Sequence, residues 1–108
     1  FKNCKKLVKI HMPSYLKNLA EDAFEGCESL EEIHIPNSVT SIEKGAFKNC
    51  KKLVKIHMPS YLKNLAEDAF EGCENISSIE FNNKVYDSLE SFKQAFNDYQ
   101  EILKKLNL

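Results

Sequence analysis

Three histidines and four cysteines are the side chains of this sequence best suited to bind a metal or to react. His11, His34 and His57 follow one another at intervals of 23 residues, and the same interval separates the cysteines at positions 4, 27, 50 and 73. Imidazole and thiolate are common zinc ligands, and imidazole also titrates near neutral pH. Their chemistry depends on whether the 23-residue interval brings like residues together.

The cysteine spacing argues against a zinc site. No C-x-x-C or C-x-x-H pair occurs, so the local ligand pairs that are typical of zinc sites are missing. Each cysteine lies between Phe and Leu positions of a repeated pattern, which favours buried, reduced thiols. A disulfide between stacked neighbours such as Cys4 and Cys27 is the alternative.

The histidines are expected to form an outward-facing column, with imidazoles about 5 Å apart if successive strands pair. Such a column is compatible with a shared metal, with a pH-sensitive binding surface, or with ordinary solvent-facing histidines. The first carboxylate in the column is Glu80, in the fourth unit. The sequence therefore predicts no metal and no other cofactor.

Composition and motifs exclude several classes of function. The net charge is −1, and the basic residues, all lysines, are interspersed with acids, so nucleic-acid binding is not expected. No apolar run approaches the roughly 20 residues of a membrane span, so membrane insertion is not expected either. There is no G-x-S-x-G motif and no glycine-rich phosphate loop. We therefore expect a protein that is not an enzyme.

The 23-residue interval extends to the whole pattern of apolar residues. Residues 1–28 and 47–74 are identical, and each unit reads F-x-x-C-x-x-L-x-x-I-x-[MI]-P-x-x-[LV]-x-x-[LI]-x-x-x-A. The [LV] column runs through Leu16, Val39, Leu62 and Val85. One unit cannot bury so many apolar side chains alone, whereas stacked units turn each column into a continuous core. The pattern predicts a solenoid of about four coils over residues 1–86.

Each unit contains its own short elements. Polar and apolar residues alternate over residues 9–13, which predicts a half-buried strand with Ile10 and Met12 inward and Lys9 and His11 outward. Residues 21–27 place acids before Ala, Phe and Gly, which predicts one short helical turn. Leu16 and Leu19 mark a second extended segment. Strands of successive coils should pair into a parallel sheet.

The repeat resembles the 23-residue, Treponema-type leucine-rich repeats of BspA-like proteins, whose hallmark is L-x-x-I-x-I-P-x-x-[VL]-x-x-I-x-x-x-A-F-x-x-C. Residues 30–50 match it almost throughout, residues 1–86 carry it, and residues 87–108 do not. The resemblance implies an α/β fold, a curved right-handed solenoid with a concave parallel sheet. It also implies an extracellular or cell-surface location and adhesion, although no signal segment is visible in the chain.

The two ends of the array differ. The first coil lacks the beginning of its own turn, so we expect a fragment of a longer array or an end that stacks on another chain. Residues 87–108 are predicted to form an amphipathic helix that begins with the capping box Asp87-x-x-Glu90. Its apolar stripe fits a cap on the last coil or, at heptad spacing, a dimer seam, and consists of Leu89, Phe92, Phe96, Tyr99, Leu103 and Leu106.

Charges alternate between coils. Lys2, Glu25, Lys48 and Glu71 share one column, so opposite charges should face each other between neighbouring coils. Each exposed pair contributes only about 0–1 kcal/mol, but together the pairs favour the correct register. A dipolar surface for self-assembly is the alternative interpretation.

The sequence thus predicts a protein-binding scaffold, as a fragment of a cell-surface, adhesion-type protein. The partner would be a protein, and the residues expected on the concave face are Lys9, His11, Glu32, His34, Lys55, His57, Ser78 and Glu80. The alternative is a structural, self-assembling unit, a homo-oligomer or filament that uses the open first coil and the C-terminal helix.

Overall fold

A computed structural model of the chain describes residues 1–106 and contains two sheets and one helix. The first sheet is parallel and has three two-residue strands in the order β1 (Asn18–Leu19), β3 (Ser41–Ile42) and β5 (Asn64–Leu65). The second has the order β2 (Glu32–His34), β4 (Lys55–His57), β6 (Ser78–Phe81) and β7 (Lys84–Tyr86). The helix α1 (Leu89–Lys105) follows β7.

The parallel strand pairs of both sheets place residues opposite each other that are 23 positions apart in sequence. Ile33 pairs with Ile56, and Ile56 pairs with Ile79. Three successive pairs of phenylalanine rings stack with centroid distances of 5.6, 5.3 and 5.2 Å, through Phe1, Phe24, Phe47 and Phe70. The predicted stacking of like residues, and with it the α/β solenoid, is confirmed.

The apolar columns form one continuous core. Leu30 and Leu53 are fully buried, as are the three isoleucines of the central strands. Each such side chain contributes roughly 1.5–3 kcal/mol when it is fully buried. The core therefore stabilises the stack of coils. The stack in turn fixes the positions of the polar residues that alternate with these isoleucines along the strands.

The first coil departs from the predicted pattern, because residues 9–13 form no strand. Just before this stretch, the bond from Glu31 N–H to the Val8 carbonyl of the first coil is long, at 3.4 Å. Ile10 and Met12 are half-buried instead of buried. This coil has a neighbouring coil on one side only in this chain, so it has fewer contacts to hold its backbone extended.

The predicted helical turn at residues 21–27 is a series of hydrogen-bonded turns instead. Asp22 and Gly26 have φ values of 58° and 75°, and an α-helix cannot contain left-handed residues. The backbone here also bonds between coils, since Phe24 N–H donates to the Ala46 carbonyl at 2.7 Å. Backbone bonds between coils thus alternate with bonds within the turn, so the segment does not make the continuous internal bonds of a helix.

The fourth coil ends in a hairpin that the sequence pattern did not predict. Asn82 and Asn83 have φ values of 49° and 66°, as the two central residues of a type I′ turn require. The chain reverses there, and Phe81 pairs with Lys84 across an antiparallel ladder. Val85 is consequently 66% exposed, so its placement in the core column with Leu62 is wrong.

The C-terminal helix covers the end of the stack. Phe92 and Phe96 are buried, and their rings meet Phe81 edge-on at 5.4 and 6.2 Å. The N-cap is Ser88, whose hydroxyl accepts a hydrogen bond from Ser91 N–H at 3.1 Å. The predicted cap at Asp87 is therefore wrong by one residue.

The rest of the apolar stripe is less covered. Leu89, Tyr99 and Leu103 are half-buried, and Leu106 is exposed. The predicted helix extends to residue 108, and its last two residues lie outside those that the structure describes. Within residues 1–106, no helix is long and apolar enough to span a membrane.

Candidate functional site

The outward side chains of β2, β4 and β6 form a regular polar surface, which we call the β2–β4–β6 face. Two rows run across the strands, and each contains three of the eight residues predicted for the concave face. One row is Glu32, Lys55 and Ser78, and the other is His34, His57 and Glu80. The parallel register therefore brings six predicted binding residues together.

The remaining two predicted residues lie on the unpaired segment of the first coil. Lys9 and His11 are exposed and do not continue the rows as strand residues. They line a depression of about 520 Å³ whose other wall includes Glu32 and His34. The first coil thus borders the β2–β4–β6 face without extending its sheet.

Within this face, Glu32, His34 and His57 form a compact cluster. The Nε2 atoms of His34 and His57 each lie 2.9 Å from Glu32 Oε2. The two imidazole rings stack, with centroids 3.7 Å apart and planes inclined by 9°. Because a carboxylate only accepts hydrogen bonds, both Nε2 atoms donate to the same oxygen. Hydrogen bonds from His57 and, more weakly, from His34 lower the pKa of Glu32.

A second carboxylate orients His57 from the other side. Glu80 Oε2 lies 3.4 Å from His57 Nδ1, so both ring nitrogens of His57 face an acid. The His57 side chain is 21% exposed, whereas that of His34 is 68% exposed. His57 is therefore the more firmly held of the two rings.

Sequence reasoning placed Glu32 on the binding face but missed its role beside the histidines. At the 23-residue interval from the histidines, the first carboxylate is Glu80. Glu32 lies two residues before His34 on the same strand, and residues i and i+2 of a strand share a face. The E-x-H pattern of residues 32–34 was the signal that identifies this cluster.

The cysteines form a separate column inside the coils. Cys27 and Cys50 are buried, and Cys4 and Cys73 are half-buried. Three thiols donate to the carbonyl oxygen of a preceding Phe, with distances of 3.1, 3.2 and 2.9 Å for Cys27, Cys50 and Cys73. Burial raises the pKa of Cys27, and hydrogen bonding to Cys73 together with burial raises that of Cys50. Cys27 and Cys50 thus favour the neutral thiol, the less reactive form.

Opposite charges meet between coils as predicted. Lys2 lies 3.5 Å from Glu25, and Lys48 lies 3.7 Å from Glu71. Both pairs join residues that are 23 positions apart, and their side chains are partly exposed. They support the register, while the dipolar assembly surface stays a prediction.

Comparison with known proteins places these features in a family. The model of the BspA type leucine rich repeat region matches residues 1–107 in six copies. The match thus extends through α1, beyond residue 86, where the recognisable repeat was expected to end. No match was found among curated proteins.

Two solved structures share the fold. A leucine-rich cell-surface protein from Faecalibacterium prausnitzii is 34% identical, with a TM-score of 0.73, over 84% of this chain and 23% of its own. A leucine-rich repeat protein from Treponema pallidum is 40% identical, with a TM-score of 0.67, over 75% of this chain and 37% of its own. This chain thus spans well under half of the length of each of these neighbours. Repeat, register and fold agree, and the chain belongs to the BspA-type leucine-rich repeat family.

Proposed function

We propose that the chain is part of a protein-binding scaffold and that its partner docks on the β2–β4–β6 face. The observation that carries this proposal is the alignment of six outward polar side chains in two rows, held by a fully buried row of isoleucines. Because the strands are anchored from beneath, little backbone conformational freedom is lost on binding. Pre-organisation of this kind favours affinity.

The chemistry of the face indicates what the partner offers. Lys55 is flanked by Glu32 in its row, and Glu80 lies in the row beside it, so a complementary surface carries both signs of charge. The depression beside the first coil is lined in part by Ile10, Met12 and Ile35. An apolar anchor from the partner fits such a depression, and anchors of this type dominate the affinity of many interfaces.

We further propose that this binding serves adhesion at a cell surface. The Faecalibacterium prausnitzii neighbour is a cell-surface protein, and an extended polar face suits attachment to another protein. Because this chain spans only 23% and 37% of its two neighbours, it would supply one section of a longer adhesive surface.

The test uses beads coated with the purified chain and applied to cultured epithelial cells. A variant with Lys55→Glu and His34→Ala changes the face, and Lys63→Glu, an exposed lysine next to β5 in the other sheet, is the matched control. We expect the wild type and the control to bind alike, the face variant to lose at least about 1.4 kcal/mol, or tenfold in affinity, and trypsin treatment of the cells to abolish binding. Equal binding by all three proteins, or none by the wild type, would contradict the proposal.

Self-association is the second candidate function. Ile102 of α1 and Leu106, the C-cap residue, are 55% and 61% exposed, and Leu106 belongs to the stripe predicted as a dimer seam. If two helices pair there, light scattering after size exclusion will give twice the monomer mass at high concentration, and Ile102→Glu will restore the monomer. A monomer at every concentration would eliminate this candidate.

A further inference from the structure

We propose that Glu32, His34 and His57 form a binding site for one Zn²⁺ ion on the β2–β4–β6 face. The three ligand atoms would be Glu32 Oε2 and the Nε2 atoms of both histidines. Each nitrogen lies 2.9 Å from the oxygen, and suitable ligand atoms of the three residues all lie within 4.8 Å of one another. Two imidazoles and one carboxylate are a ligand set that zinc accepts, with a fourth position left open.

The backbone prepares this arrangement. Glu32 and His34 alternate on one strand and share its outer face, while His57 is directly opposite His34 in the parallel register. All three residues belong to strands over the buried core, where ligand positions are better defined than on loops. The site therefore exists without rearrangement of the chain trace.

The Nε2 atoms of both imidazoles already converge on Glu32 Oε2. Each imidazole Nε2 atom donates a proton to this carboxylate oxygen. A cation bound by the two nitrogens and the oxygen would take the place of these two protons. Zinc lies about 2.0–2.2 Å from nitrogen and oxygen ligands and needs to lie near the plane of each imidazole. The stacked rings must therefore splay, and His34 is free to tilt because its side chain is 68% exposed.

Glu80 supplies a supporting contact that is typical of zinc-binding histidines. Its Oε2 is 3.4 Å from His57 Nδ1, and a carboxylate on the second ring nitrogen orients the imidazole and raises its basicity. His57 can thus bind zinc through Nε2 while Nδ1–H donates to Glu80. Glu80 is a positioning residue here and not a ligand.

The ligand chemistry selects the type of ion. Imidazole nitrogen suits zinc, copper and nickel, whereas calcium and magnesium require oxygen ligands. Cys27 and Cys50 are poor competitors for the ion, because they lie in the core and favour their neutral forms. Calcium and magnesium are accordingly the negative controls.

Isothermal titration calorimetry of the reduced chain with ZnCl₂ at neutral pH tests the site. We expect one Zn²⁺ per chain, with affinity reduced at least about 100-fold by His34→Gln, His57→Gln or Glu32→Gln and about tenfold by Glu80→Gln, as for supporting residues generally. His11→Gln is the matched control, because His11 is the third histidine of the repeat and lies outside the cluster. It should bind zinc like the wild type.

Two further measurements distinguish this site from adventitious binding. Co²⁺ in place of Zn²⁺ should give ligand-field bands without a sulfur-to-cobalt charge-transfer band, and circular dichroism should show that the metal-free variants remain folded. Absence of zinc binding, equal affinity of His34→Gln and His11→Gln, or a sulfur band would overturn the proposal. Zinc binding does not require the protein partner, so its failure and the failure of the proposed function are distinguishable.

Discussion

One backbone position in each coil alternates between asparagine and glycine. Asn3, Gly26, Asn49 and Gly72 lie at intervals of 23 residues, and all four have positive φ values, between 61° and 81°. Glycine adopts this conformation without strain, and asparagine tolerates it better than most residues. The glycine also leaves space for the asparagine side chain of the preceding coil. A coil with glycine at this position can therefore pack closely on a coil with asparagine there.

Substitution of Gly72 tests this fit. A Cβ at Gly72 would overlap Asn49 Oδ1, and its φ of 81° strains any other side chain. Gly72→Ala should therefore reduce the free energy of unfolding by about 1–3 kcal/mol, a sum of left-handed strain and steric repulsion, as measured by urea denaturation.

The double variant Gly72→Ala with Asn49→Gly separates the two causes. It should recover the steric part of the loss and retain the strain. A Gly72→Ala chain as stable as the wild type would show that the asparagine side chain is not packed in this way.

The elements show where sequence pattern was sufficient and where it was not. The second and third coils follow the repeat and pair as predicted, because both have neighbours on two sides. The sequence of residues 9–13 equals that of residues 55–59, yet only the latter contains a strand, β4. A repeat pattern indicates the conformation that a segment prefers locally. A strand also needs a neighbouring strand with which its backbone can form hydrogen bonds. The Asn82–Asn83 turn, in contrast, carried a local signal that reading by columns overlooked.

If α1 acts as a cap on the last coil, its contribution to the free energy of unfolding should come from the face that contacts Phe81. Phe92 is fully buried, and its ring centroid lies 5.4 Å from that of Phe81. Phe92→Ala should therefore reduce the free energy of unfolding by about 3–5 kcal/mol. Ile102→Ala, on the exposed side of the same helix, should change stability by less than about 0.5 kcal/mol. Equal losses at the two positions, or a loss at Ile102 that grows with protein concentration, would favour the dimer seam instead. Urea denaturation at two concentrations provides both comparisons.

Across the whole molecule, stability should follow the position of a residue along its column. Phe47 is fully buried with a stacked ring on each side, whereas Phe1 is 69% exposed and stacks on one side only. Phe47→Ala should cost about 3–5 kcal/mol, and Phe1→Ala clearly less, because the loss of buried contact is smaller. Equal costs in thermal unfolding would mean that the rings do not stack in register.

The candidate site was partly predictable for the same reason. All residues of the β2–β4–β6 face were recognised, because alternation along a strand and the 23-residue interval together define a face. The Glu32–His34–His57 cluster was not, because it combines a neighbour along β2 with a neighbour on the adjacent strand β4. Such diagonal neighbours are predicted only when the two-residue alternation along a strand and the 23-residue interval between strands are considered together.

The register of the strands on this face can be measured directly by NMR. His11, His34 and His57 are the only histidines of the chain, so their ring protons are readily distinguished. The account predicts a strong NOE between the rings of His34 and His57, whose centroids are 3.7 Å apart, and none between His11 and His57. A spectrum that lacks the first cross-peak or contains the second would contradict the stacking of coils at 23-residue intervals.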